Sequence, residues 1–101
     1  RKPVIAGNWK MYKTIAETRS FLETLKPLVA DSTHCDIVVA PPFTALATAV
    51  ETARGTAIAI SAQNLHWEKE GAFTGEVSAG MLVEAGCGST DAMLFRISSV
   101  T

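Results

Sequence analysis

The chain has 101 residues, of which 48% are hydrophobic, and a formal net charge of −1 at pH 7. These values predict one small globular domain over residues 1–101. The balanced charge argues against nucleic acid as a partner, and no apolar run approaches the roughly 20 residues of a membrane span. Cys35 and Cys87 lie far apart and form no CxxC motif, so we expect reduced thiols and a cytoplasmic location.

The first predicted element is a short buried strand over residues 3–9, a continuous apolar stretch. At its carboxyl end stand Asn8 and Lys10, two positions apart. Side chains two apart on a strand project to the same face, so an amide and an ammonium are expected side by side. Such a pair suits an anionic ligand, although a solvated lysine at a strand end is the more ordinary explanation.

The first helix is predicted to begin with a capping box, in which Thr14 and Glu17 satisfy each other's free backbone amides. Apolar residues then recur at helical spacing from Phe21 onward. Pro27 is expected to end or kink this helix, because proline donates no backbone hydrogen bond and clashes with the preceding turn.

The second strand is predicted at residues 36–40, where Pro41 and Pro42 end it. Thr44 is expected to cap a second helix, and Gly55 to be the left-handed residue that follows it. The predicted inner stripe of this helix is Leu46, Ala47, Val50 and Ala53.

The third strand is predicted at residues 57–63, followed by a polar loop over 64–76 and a short helix capped by Ser78. Residues 91–97 are a candidate for a fourth strand. Strands and helices that alternate over short connections predict parallel strands joined by right-handed crossovers. No nucleotide-binding motif is present, and His34 and His66 have no partners at ligand spacing, so we expect no cofactor and no metal.

Four segments of the chain carry a resemblance to a known family. In chain order they are Ala6-Gly7-Asn8-Trp9-Lys10-Met11, Val39-Ala40-Pro41-Pro42-Phe43, Ala62-Gln63-Asn64 and Gly71-Ala72-Phe73-Thr74-Gly75-Glu76-Val77-Ser78. From about residue 3 to residue 87 the chain resembles the N-terminal part of triosephosphate isomerase, and the tail, 88–101, diverges from it. The resemblance implies an α/β fold, a partial (β/α)8 TIM barrel with about the first three to four βα units, as a single incomplete domain.

The resemblance also implies an activity, the cofactor-free interconversion of dihydroxyacetone phosphate and glyceraldehyde 3-phosphate in glycolysis and gluconeogenesis. It implies that Asn8 and Lys10 bind the phosphorylated triose, with Lys10 contributing to catalysis through its charge. It further implies a homodimer, in which the loop over 71–76 enters the neighbouring subunit. The interface residues implied are Met11, Phe73, Thr74, Gly75 and Glu76.

The chain departs from the family pattern in its length and its tail. Barrels of this type run to about 250 residues, and no histidine follows His66, so the segments that carry the family's catalytic histidine and glutamate are missing. We therefore expect the chain alone to be inactive and its open sheet to be weakly stable. Val4, Ala6, Ala59 and Ser61 are expected to face an unfilled interior.

Two alternatives to an isomerase remain open at the sequence level. One is a non-enzymatic assembly module that binds another chain through the loop over 71–76 and its open strand edges. The other is a stand-alone phosphate-binding domain that uses only Asn8 and Lys10.

Overall fold

The computed structural model describes residues 3–87, which form three strands and three helices in alternation. The strands are β1 (Val4–Asn8), β2 (Asp36–Ala40) and β3 (Ile58–Ile60), and the helices are α1 (Ile15–Val29), α2 (Phe43–Ala53) and α3 (Ala79–Glu84). The sheet order is β1-β2-β3, and both strand pairs are parallel. The predicted fold class is thus confirmed, whereas the candidate strand at 91–97 lies outside the described residues.

The hydrophobic core lies on the face of the sheet that the helices cover. Val39 of β2 and Ile58 and Ile60 of β3 point toward it, and all three side chains are buried. Leu22 of α1 and Leu46 of α2 complete its centre. Full burial of one such side chain contributes roughly 1.5–3 kcal/mol, so this layer supplies most of the hydrophobic stabilisation.

Strand β1 is exposed along most of its length, so the prediction of a buried first strand is wrong. Val4 on one face is 62% exposed and Ile5 on the other face is 59% exposed. The reason is tertiary: β1 lies at the edge of the described sheet, and α1 packs chiefly against α2 rather than along β1.

The expectation of an unfilled interior holds for part of the opposite face of the sheet. Val4 and Ala6 are exposed and Ala59 is half-buried. The same expectation is wrong for Ser61, which is buried and whose hydroxyl donates to the Ala62 carbonyl at 3.0 Å. Ser61 is therefore enclosed within the described chain instead of facing an unfilled interior.

The capping box of α1 is present as predicted. The Thr14 N–H donates to Oε1 of Glu17 at 2.9 Å, and the Glu17 N–H donates to Oγ1 of Thr14 at 3.2 Å. The prediction that Pro27 ends or kinks α1 is wrong in its position, since the helix continues to Val29. Only Leu28 and Val29 follow Pro27 in α1, so the helix ends close to the residue that lacks an N–H.

The second helix begins earlier than predicted. Its N-cap is Pro42, and Thr44 lies inside it without a capping role. Of the predicted inner stripe, Ala47 is exposed, and Ala45 and Ala49 are buried in its place. Gly55 has a φ of 82°, which confirms the predicted left-handed residue after the helix.

The predicted cap of the last described helix is also present. Oγ of Ser78 accepts the Met81 N–H at 3.3 Å, at the start of α3. The third strand, in contrast, is shorter than the predicted 57–63, since β3 covers only Ile58–Ile60.

Candidate active site

Asn8 and Lys10 lie at the carboxyl end of β1, but they do not lie on one continuous strand. β1 ends at Asn8, and Lys10 lies in a turn with a φ of 53°. The strand alternation that predicted a common face therefore does not extend to Lys10, and that reason for pairing the two side chains is wrong. A left-handed backbone costs a non-glycine residue roughly 1–2 kcal/mol, so neighbouring groups must hold Lys10 in it.

Two side chains hold the Lys10 backbone from opposite sides. Oδ1 of Asn8 accepts the Lys10 N–H at 2.9 Å, and Nε2 of Gln63 donates to the Lys10 carbonyl at 2.9 Å. The same Gln63 nitrogen donates to the carbonyl of Ala40 at 2.8 Å. Since Ala40 ends β2 and Gln63 follows β3, the carboxyl ends of all three described strands converge on this turn.

Gln63 is the site residue that the sequence analysis misses. It belongs to one of the matching segments, Ala62-Gln63-Asn64, but no role is predicted for it. A usable signal was nevertheless present, because a polar side chain directly after a buried parallel strand lies at the same rim as Asn8 and Lys10.

The turn that begins at Lys10 leads to Lys13, which lies two residues before the start of α1 at Ile15. Met11 between them is 92% exposed. Lys13 has a φ of 76°, and its Nζ lies 5.5 Å from the centroid of the Trp9 ring and 4.9 Å from that of the Phe21 ring. The candidate site thus contains two lysines on one short turn, each in the left-handed region.

The residues predicted for a dimer interface lie in two places. Met11 lies on the exposed turn after Lys10, whereas the others lie on the loop between β3 and α3, and all of them are exposed. The members on the loop are Phe73, Thr74, Gly75 and Glu76. Both segments follow carboxyl ends of strands, and the Gln63–Lys10 hydrogen bond joins the ends of β3 and β1.

The loop is supported by contacts within its own chain. The ring of Phe73 lies 4.3 Å from that of His66, measured between centroids, and Oε2 of Glu76 lies 3.7 Å from Nδ1 of His66. A cavity of about 130 Å³ lies beside these residues, and neither Asn8 nor Lys10 lines it. This cavity is therefore separate from the turn that holds Lys10.

Among the described residues, the pKa values of Glu17 on α1 and of Cys87 are shifted. Hydrogen bonds from the Thr14 backbone and side chain lower the pKa of Glu17, and the charge of Lys13 adds to this effect. Burial raises the pKa of the Cys87 thiol. In residues 3–87, no group of three or more histidine, cysteine, aspartate or glutamate side chains is arranged to bind a metal ion. No helix in that range is long and apolar enough to cross a membrane.

The four glutamates considered as a base lie on other elements than β1 and the Lys10 turn. Glu17 lies on α1, Glu51 on α2, and Glu70 and Glu76 on the loop before α3. What this rim contains is a lysine whose main chain is held by two amide side chains, and its positive charge suits binding of an anion rather than proton transfer.

Comparison with known proteins identifies the family. The family model described as triosephosphate isomerase matches residues 3–90. The chain belongs to the triosephosphate isomerase family. The match confirms the resemblance inferred from the four segments, and with it the isomerase class of the family.

Curated relatives agree with this assignment. The chain is 66% identical over 82 residues to the triosephosphate isomerase of Solibacter usitatus, strain Ellin6076. It is 54% identical over 87 residues to that of Synechococcus sp., strain CC9902, and 52% identical over 87 residues to that of Geotalea uraniireducens, strain Rf4. These matches cover 81%, 85% and 86% of this chain and 33%, 36% and 35% of the relatives, respectively. The chain therefore spans about a third of the length of the curated relatives it matches.

Proposed function

We propose that this chain forms the substrate-binding corner of a triosephosphate isomerase, in which Asn8 and Lys10 bind the phosphorylated triose. The reaction is the cofactor-free interconversion of dihydroxyacetone phosphate and glyceraldehyde 3-phosphate in glycolysis and gluconeogenesis, with a cytoplasmic location. The observation that carries the proposal is the Lys10 backbone, held by Asn8 and Gln63 where the carboxyl ends of three parallel strands meet. Active sites of barrels in this class lie at that rim.

Lys10 contributes a positive charge beside the anionic groups of the substrate. An ion pair at about 4 Å is worth on the order of 4 kcal/mol at an effective dielectric constant of about 20. The isomerisation passes through a negatively charged enediolate, which a cation fixed in advance stabilises without reorganising during the reaction. Asn8 supports this by holding the lysine main chain, so the point from which the Lys10 side chain extends is set before substrate arrives.

Proton transfer between the two carbons of the substrate needs a base and a polarising donor. That this enzyme pairs a glutamate base with a neutral histidine is already established for the family. Since the described glutamates lie on the helices and on the loop before α3, and none lies on the Lys10 turn, we propose that the 101 residues alone bind substrate anions but do not catalyse the isomerisation.

A chimeric enzyme tests the role of Lys10. In it, the aligned segment of this chain replaces its counterpart in the Solibacter usitatus relative, which is 66% identical over that segment. We expect isomerase activity, and a loss of kcat/KM of about 100-fold or more for Lys10→Met. Lys26→Met is the matched control, because Lys26 lies on α1 and pairs with Glu23 at 3.2 Å on the surface.

The 101-residue chain by itself tests the proposed lack of turnover. A coupled isomerase assay on the pure chain is expected to show no activity, while titration calorimetry with inorganic phosphate shows binding that Lys10→Ala weakens. If the pure chain showed isomerase activity and Lys10→Ala abolished it, the proposal that the chain is inactive would be wrong. The assignment of Lys10 to the site would still hold.

We further propose that the family's homodimer uses the turn after Lys10 and the loop over 71–76, with Thr74 approaching the partner's site. The exposure of Met11 and of Thr74 on segments that follow strand ends supports this. Light scattering on the chimera is expected to give a dimer, which Thr74→Arg converts to monomer. A dimer that persists in Thr74→Arg would show that the interface does not include this loop.

A second candidate function, an assembly module without catalysis, is favoured by one observation. Val4 and Ile5 are both exposed on β1, which has one pairing partner in the described sheet and an open edge on its other side. Size-exclusion chromatography of the chain with the full-length relative distinguishes the two functions. A defined complex that persists in Lys10→Met, combined with a chimera insensitive to Lys10→Met, would favour the assembly module.

A further inference from the structure

The turn between Lys10 and Lys13 has a left-handed non-glycine residue at each end. Their φ values are 53° and 76°, and among residues 3–87 no other non-glycine residue has a positive φ. Such strain persists only where the surroundings enforce it. The hydrogen bonds from Asn8 and Gln63 account for Lys10, whereas the conformation of Lys13 needs a separate explanation.

The side chain of Lys13 supplies that explanation. Its Nζ lies 5.5 Å from the Trp9 ring centroid and 4.9 Å from the Phe21 centroid, and the two rings meet edge to face at 5.2 Å. A cation this close to a ring face is attracted by the negative face of the π system. Lys13 is half-buried in this arrangement, although lysines are mostly solvated.

The two rings lie on either side of the turn in the sequence, Trp9 before it and Phe21 in the helix after it. Trp9 directly precedes Lys10, and the backbone N–H of Trp9 donates to the Ala40 carbonyl at 3.1 Å. Phe21 belongs to α1. The ammonium of Lys13 therefore ties the start of the turn to the helix that follows it. Met11, within the turn, is 92% exposed and cannot fix its shape by burial.

We infer that Lys13 is a positioning residue for Lys10, which closes the turn and thereby sets the main-chain position from which the Lys10 side chain extends. This inference rests on the proposed function of Lys10. A charged neighbour of Lys13 is Glu17, whose carboxylate accepts the N–H of Thr14 at 2.9 Å and whose pKa the Lys13 charge also helps to lower. The Lys13 cation therefore interacts with Glu17 as well as with the rings, and only the rings connect it to Trp9 at the start of the turn.

The chimeric isomerase tests the inference through three variants at one position. Lys13→Met removes the cation, Lys13→Arg keeps it, and Lys13→Gly permits the left-handed backbone without any side chain. We expect Lys13→Met and Lys13→Gly to raise the KM for glyceraldehyde 3-phosphate and the inhibition constant of inorganic phosphate about 5- to 10-fold, and Lys13→Arg to stay within about twofold. A variant that only destabilised the fold would lower the melting temperature and leave both constants unchanged.

Two controls keep the outcomes distinct. Lys26→Met makes the same chemical change on the surface of α1 and is expected to leave KM unchanged. If Lys10→Met retains activity, the proposed function fails. If Lys10→Met loses activity while Lys13→Met or Lys13→Gly keeps the parental KM, only the positioning role of Lys13 is overturned.

A second measurement, on the 101-residue chain, depends neither on catalysis nor on the chimera. Protons above an aromatic ring are shifted upfield in nuclear magnetic resonance spectra, so we expect the Hε resonances of Lys13 upfield of those of Lys26. Phe21→Leu should move them back toward the Lys26 position. Coincident Hε shifts for Lys13 and Lys26 in the parent chain would overturn the contact and, with it, the inference.

Discussion

A lysine main chain held between two amide side chains is the central feature of this molecule at the scale of residues. Asn8 fixes the N–H of Lys10 and Gln63 fixes its carbonyl, each at 2.9 Å. The two hydrogen bonds offset the free-energy cost of the left-handed conformation of Lys10. They also restrict the conformational freedom of its backbone, which substrate binding would otherwise have to restrict. The main chain of Lys10 is thereby held at the strand rim.

We predict that Gln63→Leu in the chimeric isomerase lowers kcat/KM about 10-fold. The substitution removes the donor that the carbonyls of Lys10 and Ala40 share, and a hydrogen bond of this kind contributes roughly 0.5–1.5 kcal/mol to the free energy of unfolding. The measurement is steady-state kinetics combined with urea unfolding of the same samples.

The double variant Gln63→Leu/Lys10→Met shows whether Gln63 acts through Lys10. If it does, the second substitution adds little to the loss caused by Lys10→Met alone, because residues that act as a unit are not additive. Independent, additive losses would contradict the proposed hold on the lysine backbone.

The sequence predicted Asn8 and Lys10 as a pair but not the conformation that joins them. The hydrogen bond to the Lys10 carbonyl comes from Gln63, 53 residues later, and no local pattern around Lys10 reports it. Strand periodicity alone therefore gave a wrong reason for their proximity, since β1 ends at Asn8. A left-handed lysine has no signature in its own sequence because its strain is enforced by tertiary contacts.

At the scale of elements, the ends set by local chemistry were predictable and the burial was not. The capping box at Thr14, the end of β2 before Pro41 and the left-handed Gly55 depend on neighbouring residues and are all present. The exposure of β1 depends instead on which helix covers it, and α1 packs chiefly on α2. The end of α1 was predicted two residues too early, because a proline removes only one helical hydrogen bond, the one that its own N–H would make.

The capping box gives α1 a predictable pH dependence. Hydrogen bonds from Thr14 lower the pKa of Glu17 from its ordinary value of 4.5, so the ionised carboxylate is favoured in the folded chain. A lowered folded pKa means that this stabilisation is fully present above pH 4.5 and is lost as the pH falls through the folded value.

Urea unfolding of the parent and of Glu17→Gln over this pH range measures the effect. We expect the parent to lose more unfolding free energy than the variant as the pH is lowered from above 4.5. Parallel pH profiles for the two proteins would show that the Glu17 cap contributes nothing to folding.

At the scale of the whole molecule, the described residues form an open parallel sheet with helices on one face. β1 and β3 each have one pairing partner, and the side chains of β1 are exposed on both faces. The order of elements and the parallel pairing were predictable from the alternating pattern, because crossover connections restrict the topology strongly. No local sequence pattern in these residues predicts what packs against the exposed faces of β1.

We predict that the 101-residue chain self-associates through the exposed edge of β1. Ile5→Lys should shift its population toward monomer in size-exclusion chromatography with light scattering, because an edge lysine disfavours strand addition. Leu28→Lys is the matched control, since Leu28 is 74% exposed on α1, away from the edge. Equal effects of the two substitutions would show general solubilisation rather than pairing at the β1 edge.

The most direct test of the account is the ratio of kcat/KM between the parental chimera and its Lys10→Met variant, compared with the same ratio for Lys26→Met. We predict a ratio of about 100 or more for Lys10 and about 1 for Lys26. A chimera that folds and isomerises equally well with and without the Lys10 ammonium would contradict the assignment of this turn as the triose phosphate site.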